Sequence, residues 1–219
     1  MASYTCNVRL DLALHMVSKG QNKFIFSIMA NRRQSRTNRI LSQLDGRSIV
    51  FLGMMGCGKS AIGKMVARRL GLEFVDADSE IELAAGRSVP DIFADYGEEE
   101  FRRLEEKVIE RVLEDGPVLL ALGGGAFMAE PTRDIIAKYG LSVWLKADLD
   151  LLLERVGRKP NKRPLLKKGN PREILQHLLE VRNPVYAKAE LHIQSQGGTK
   201  SDMRNIVMDA LDEHLKVSA

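Results

Sequence analysis

The chain has 219 residues, 44% apolar and 28% charged, enough for one sizeable core, marginal for two domains, and without an apolar run that could span a bilayer. Its net charge of +4 is unevenly placed: residues 1–46 hold seven Lys or Arg against two acids, and the rest holds 26 basic against 27 acidic residues. A basic leader on a near-neutral body does not call for a nucleic-acid partner, and the distant cysteines Cys6 and Cys57 read as free thiols in a reducing, cytoplasmic setting.

Residues 1–46 form a basic N-terminal extension. Its apolar patch Phe24-Ile25-Phe26-Ser27-Ile28-Met29 precedes Arg32, Arg33, Arg36 and Arg39. The expectation is a weakly ordered segment or an added helix, separable from the chemistry at Arg47. The regular pattern begins there, and the domain is expected over 47–219. Ile49-Val50-Phe51-Leu52 reads as a buried strand ended by Gly53, and a helix follows over 59–70. Phe74-Val75 is the next strand, ended by Asp76. Helices are predicted over 79–85, 89–95 and 98–114, then the strand Val118-Leu119-Leu120-Ala121-Leu122. A helix over 131–139 leads to Leu141-Ser142-Val143-Trp144-Leu145. Helices over 148–156 and 171–190 flank a basic loop, and Leu191-His192-Ile193 precedes a last helix over 201–215. Short apolar strands alternating with helices predict an α/β fold: three α/β/α layers around a central parallel sheet, with active loops at the carboxyl ends of the strands.

Gly53-Met54-Met55-Gly56-Cys57-Gly58-Lys59-Ser60 satisfies G-x-x-x-x-G-K-[ST], and a strand enters it while a helix leaves it. Glycines let main-chain N–H groups close around phosphate oxygens, and the helix N-terminus adds partial positive charge. Lys59 is expected between the β- and γ-phosphates, with the Ser60 hydroxyl on Mg²⁺. Asp76-Ala77-Asp78 can present two carboxylates to the same cleft if Ala77 packs inward; the plainer reading makes Asp78 or Ser79 a helix cap. Gly123-Gly124-Gly125 after a buried strand points to close approach of main chain and ligand. Arg102 and Arg103 alone read as solvated residues. Arg158, Lys159, Lys162 and Arg163, between prolines, read as a basic surface loop or a lid over triphosphate. Arg182, before Asn183-Pro184, sits near a helix break.

Together these stations resemble the shikimate kinase family of nucleoside-monophosphate-kinase-like P-loop proteins, over about residues 47–217. The segments Gly86-Arg87-Ser88-Val89-Pro90-Asp91-Ile92-Phe93, Gly97-Glu98-Glu99-Glu100-Phe101-Arg102-Arg103-Leu104-Glu105, Arg163-Pro164-Leu165-Leu166 and Arg182-Asn183-Pro184-Val185-Tyr186 complete the match. The resemblance implies an acceptor-binding helical region at about 78–106 and a mobile lid at about 157–170. It places Gly56, Cys57, Gly58, Lys59, Ser60 and Ala61 against ATP, Asp76 with Ser60 near Mg²⁺, and Asp78 on the acceptor hydroxyls. Arg102 and Arg182 would hold the acceptor carboxylate beside Gly124, and Arg163 would contact ATP phosphates from the lid. Ala61 stands where the family often has Thr, so one phosphate-contacting hydroxyl is missing. The second lid arginine corresponds to Arg155 or Arg158, with Arg158 the expected one. The implied reaction takes ATP and shikimate to ADP and shikimate 3-phosphate, on a monomer without nucleic-acid or membrane partners. Gluconate kinase on the same scaffold is the alternative. A non-catalytic nucleotide-gated binding module is the remoter one.

Overall fold

Five short apolar runs become the strands of one sheet. The computed structural model describes residues 34–158 and 169–217. Helix α1 covers 34–44, followed by β1 Ser48–Leu52, α2 Lys59–Leu70, β2 Glu73–Asp76, α3 Ala77–Ala85 and α4 Val89–Glu114. Then come β3 Val118–Ala121, a 3₁₀ turn at Ala126–Met128, α5 Glu130–Tyr139 and β4 Gly140–Lys146. The chain continues through α6 Leu149–Gly157, α7 Pro171–Tyr186, β5 Leu191–Gln194 and α8 Lys200–Val217. The strand order is β2-β3-β1-β4-β5, and every pairing is parallel. Every residue of β1 is buried, as an apolar run without alternation requires when helices cover both faces. Packing of α2 on α8 and of α4 on α5 completes the three α/β/α layers.

The register brings Phe51 level with Ala121 on one side and Val143 on the other. The carboxyl ends of the three central strands therefore form one rim. The chain direction diverges at β1, which makes this rim the switch-point crevice where α/β sheets bind ligands.

Several predicted boundaries shift for physical reasons. Helix α3 starts at Ala77 with Asp76 as its N-cap, so neither Asp78 nor Ser79 caps it. The helices expected over 89–95 and 98–114 are joined, with Gly97 at φ 78° and ψ 178° marking the break between them. Pro184 lies inside α7, near enough to its end that the helix continues to Tyr186 and Arg182 remains helical. It stops short of 190 because residues 187–190 turn into β5.

The end of the extension is a helix added to the core, one of the two forms expected of it. Residues 1–33 lie outside the described part, but α1 belongs to the body: Ile40 and Leu44 are 0% and 2% exposed. Arg39 grips Asp212 of α8 with two hydrogen bonds, Nε to Oδ1 at 2.6 Å and Nη2 to Oδ2 at 2.7 Å. Lys216 adds a third at 2.8 Å. The hydrogen bonds from Arg39, foremost, hold the Asp212 carboxyl down to about 2.

This docking has a measurable weight. A chain starting at residue 47 should be less stable than one starting at 34 by at least about 3 kcal/mol in urea unfolding, the cost of withdrawing two buried aliphatic side chains. A depressed carboxylate stabilises the fold fully above its unfolded value of about 4 and loses that contribution as pH falls through its folded value. The stability gap between wild type and Asp212→Asn should therefore be about 2 kcal/mol at pH 7 and close between about pH 4 and pH 2. A pH-independent gap would reject the ion pair as its source.

Candidate active site

The loop between β1 and α2 is held in a shape that only glycine permits at its critical points. Gly53, Gly56 and Gly58 have φ of 136°, 86° and 112°, and a Cβ on Gly53 would stand 2.6 Å from the Leu145 carbonyl oxygen of β4. The turn therefore presses directly on the neighbouring strand, and Gly58 serves as the N-cap of α2. Lys59 Nζ folds back to donate to the carbonyls of Gly53 at 2.7 Å and Met54 at 3.3 Å. The next residue, Ser60, donates its hydroxyl to Asp76 Oδ2 at 2.8 Å. Cys57 is buried, and its main chain rather than its thiol faces the loop's partners.

Those partners include Arg155, a candidate lid arginine, and Ser195, which carries no sequence motif. Arg155 on α6 donates through Nη1 to the Cys57 carbonyl at 3.1 Å and to Ser195 Oγ at 3.0 Å. Ser195 Oγ in turn donates to the same Cys57 carbonyl at 3.0 Å. The loop is thus braced from behind by a guanidinium and a hydroxyl. The one available signal for Ser195 was its position just past the carboxyl end of β5. Arg158, the lid arginine expected on the ATP phosphates, sits at the C-cap of α6 and pairs with Glu154 one turn back. Arg155, one turn earlier inside α6, is the arginine that hydrogen-bonds to the loop. Arg163 and positions 159–168 of the expected lid lie outside the described residues.

Beyond β3 the three glycines make the acceptor side. A Cβ on Gly123 would stand 2.7 Å from Asp78 Oδ1, one on Gly124 2.9 Å from Arg182 Nη1, and one on Gly125 2.5 Å from Arg102 Nη2. Three successive main-chain positions therefore touch one acid and two arginines from α3, α7 and α4. Arg102 is steered by Glu105, which accepts from Nη1 at 2.5 Å, and by Glu98 at 3.1 Å. Glu105 is 2% exposed; burial raises its pKa, against the lowering pull of Arg102. Tyr186 donates its hydroxyl to the Gly124 carbonyl, and burial pushes that phenol up to about 12. Sequence reasoning assigned no role to Glu105 or Tyr186, although both lie inside segments it singled out.

Ala77 is wholly buried, so Asp76 and Asp78 flank an inward-packed residue as expected. Asp76 turns to Ser60, while Asp78 enters the glycine cradle. Desolvation, then the charge of Asp76, raises the Asp78 pKa, although the residue as a whole stays exposed. Among the described residues no three His, Cys, Asp or Glu side chains converge as a metal cage. A hydroxyl and one carboxylate do suit Mg²⁺ when phosphate and water oxygens complete its shell, and Ser60 with Asp76 is that donor set.

The family model for shikimate kinase matches residues 55–212. A shikimate kinase of Mesorhizobium japonicum is 50% identical over 178 residues, 81% of this chain and 87% of that protein. The solved structure of shikimate kinase from Acinetobacter baumannii in complex with shikimate aligns with a TM-score of 0.71 at 33% identity, covering 78% of this chain and 95% of that one. A gluconokinase from Sinorhizobium meliloti, at 17% identity and a TM-score of 0.52 over 78% of this chain and 95% of its own, shares the fold alone.

The glycine cradle predicts its own sensitivity. Gly125 has φ −103°, which any residue adopts, so Gly125→Ala strains no backbone and displaces only the flexible end of Arg102. The protein should keep its melting temperature within a few degrees, while KM for the acceptor rises at least about tenfold through loss of a charge-assisted contact. KM for ATP should stay within a factor of about two. An unchanged acceptor KM would show that Arg102 does not need its place against Gly125.

Proposed function

The chain belongs to the shikimate kinase family, and we propose that its cleft carries the γ-phosphoryl group of ATP to the 3-hydroxyl of shikimate, giving ADP and shikimate 3-phosphate. It is an ATP-dependent kinase whose product enters chorismate and aromatic amino-acid synthesis. One observation carries the acceptor assignment: Asp78, Arg102 and Arg182 meet on Gly123–Gly125 at the rim the P-loop occupies. Two guanidiniums suit a carboxylate, supplying charge and directed N–H donors. A carboxylate across from them suits hydroxyls. Gluconate kinase on this scaffold is the weaker reading, since its support is likeness of fold.

In the proposed division of labour, main-chain N–H groups of Gly56, Cys57, Gly58, Lys59, Ser60 and Ala61 cradle the phosphates. Lys59 leaves its resting carbonyls and follows the β- and γ-phosphates. Ser60 and Asp76 would hold Mg²⁺, which supplies positive charge to the phosphate oxygens as the bond to ADP lengthens. Arg155 keeps the loop in register from behind, and Arg163 of the lid is assigned by resemblance to the ATP phosphates. Arg102 and Arg182 fix the ring of shikimate by its carboxylate. Asp78 aligns the attacking hydroxyl with the γ-phosphorus and accepts its proton. The oxygen attacks in line, ADP leaves, and no covalent enzyme intermediate forms. A working monomer in a reducing, cytoplasmic setting completes the proposal.

A coupled ADP assay across shikimate, gluconate and nucleoside monophosphates, with product mass, tests the reaction. ADP release indifferent to every acceptor would point instead to a nucleotide-gated module. Lys59→Ala should lower turnover at least about 100-fold with native circular dichroism. Arg102→Ala and Arg182→Ala should each cost about 2–5 kcal/mol in kcat/KM for shikimate and erase most of the preference over an analogue lacking the carboxylate. Full preference in both folded variants would move the carboxylate site elsewhere. The pH profile tests Asp78. Its pKa is raised, so the active carboxylate is lost as pH falls through a value above the ordinary figure of about 4. The acid limb of kcat/KM should lie above that figure, and a limb below it would remove Asp78 as the proton acceptor.

A further inference from the structure

Tyr186, the last residue of α7, is 1% exposed, yet its hydroxyl ends on the acceptor side of the cleft, where it donates to the Gly124 carbonyl. Arg182 lies four residues earlier, on the same side of the helix. It reaches the same glycine, with Nη1 2.9 Å from where a Gly124 Cβ would stand. The phenol, the guanidinium and the middle glycine of the cradle therefore form one cluster. We propose that Tyr186 is a positioning residue for the acceptor: its hydroxyl donates to Gly124, accepts from Arg182, and so holds that guanidinium where the acceptor carboxylate arrives. The proposal rests on the kinase reading above, in which Arg182 takes that carboxylate.

Three observations support it. Packing alone does not call for the hydroxyl. The Tyr186 ring lies against Trp144, with centroids 6.0 Å apart and planes at 59°, and a phenylalanine ring would fill that place as well. A hydroxyl buried this deeply is costly unless it is bonded, and both of its partners belong to the acceptor side. The second observation is that the phenol is a neutral partner. Burial pushes its pKa up to about 12, against the pull of the charge and hydrogen bond of Arg182. It therefore orients the guanidinium without cancelling the positive charge that a carboxylate needs. Arg102, by contrast, is steered by the acids Glu105 and Glu98.

The third observation is the floor beneath the ring. Trp144 belongs to β4 and is level with Leu52, the last residue of β1 before the P-loop. On β5 it meets the His192 ring edge-on, with centroids 5.3 Å apart. Tyr186 thus refers Arg182 to the strands that carry the phosphate loop. The acceptor carboxylate is placed relative to the γ-phosphate through packed side chains, and in-line transfer depends on that spacing.

Steady-state kinetics and calorimetric shikimate titrations on the full chain test this. Tyr186→Phe keeps the ring on Trp144 and removes only the hydroxyl; circular dichroism and the melting temperature check its fold. Its KM and Kd for shikimate should rise at least about tenfold through loss of a hydrogen bond to a charged group. KM for ATP should stay within a factor of about two, and kcat should fall less than the shikimate KM rises. In an Arg182→Ala background the same substitution should change the shikimate Kd by less than about twofold, because the two residues act as one unit. Independent effects of the two substitutions, or an unchanged shikimate KM in folded Tyr186→Phe, overturn the proposal and leave the kinase reading standing. If Arg182→Ala itself leaves the shikimate KM unchanged, the carboxylate reading of Arg182 fails first and takes this one with it. A second measurement leaves residue 186 intact: the Tyr186 ¹³Cζ NMR signal should shift saturably as shikimate binds, and an unmoved signal at saturation likewise overturns the proposal.

Discussion

Three glycines in a row at the end of β3 are the constraint on which the site depends. Each would carry a Cβ closer than 3.0 Å to a charged side-chain atom of Asp78, Arg182 or Arg102, a distance that real Cβ contacts do not tolerate. Removing those carbons lets one acid and two arginines, delivered by three helices, close on a single stretch of main chain. Convergent charges are costly where water is thin, so each needs an answer. Arg102 has Glu105 and Glu98. The Gly124 carbonyl has Tyr186. Asp78 has the charges of Lys59 and Arg102 pulling its pKa down against desolvation, which prevails and raises it.

The sheet explains why this cradle faces the phosphate loop. Both leave the carboxyl ends of adjacent strands, β1 and β3, whose residues Ile49–Phe51 pair with Leu119–Ala121. In addition, Leu122 donates its main-chain N–H to the Phe51 carbonyl, so the two strands remain tied up to the point where the loops depart. Asp76 is the last residue of β2, level with Ala121. The Ser60–Asp76 hydrogen bond therefore spans from the P-loop helix to the edge of the acceptor side. Phosphoryl transfer needs donor and acceptor held within a narrow geometry, and parallel register supplies the common floor on which both are mounted.

Most of the architecture was legible because its determinants are local. Apolar runs such as Ile49–Leu52 can bury both faces only as inner parallel strands, and glycines mark where they stop. The P-loop was legible because its conformation needs particular residue types at particular offsets. What escaped was decided by tertiary contact. Helix α1 was open between a weakly ordered leader and an added helix, since Arg36 and Arg39 dominate its composition, and what decides it is that Ile40 and Leu44, four residues apart on one face, both enter the core. Ser195 carries no motif and matters only because β5 ends beside the P-loop. Sequence left Arg155 and Arg158 open as lid arginines; Arg155 lies inside α6 and hydrogen-bonds to the P-loop, while Arg158 stands at the helix end. Asp76 does not cap α3 with its side chain; its Oδ2 accepts from the Ser60 hydroxyl.

The helix α2 joins these themes. Its first residues, Lys59 and Ser60, belong to the phosphate site, and its last turn carries Arg68 and Arg69. Gly63, midway, packs so closely that a Cβ would stand 2.6 Å from the Phe74 ring and 3.0 Å from Leu119. The helix is therefore pressed onto the sheet at its centre, with a ligand-facing turn at one end and two arginines at the other. On its far side α8 packs against it, and α8 is in turn tied to α1 through Asp212. Any displacement of α2 large enough to move Lys59 must disturb that central contact, because the missing Cβ leaves no slack there. The fold thus holds its phosphate-binding residues by packing on the sheet. The flexible parts of the chemistry are left to the side chains of Lys59 and Arg102.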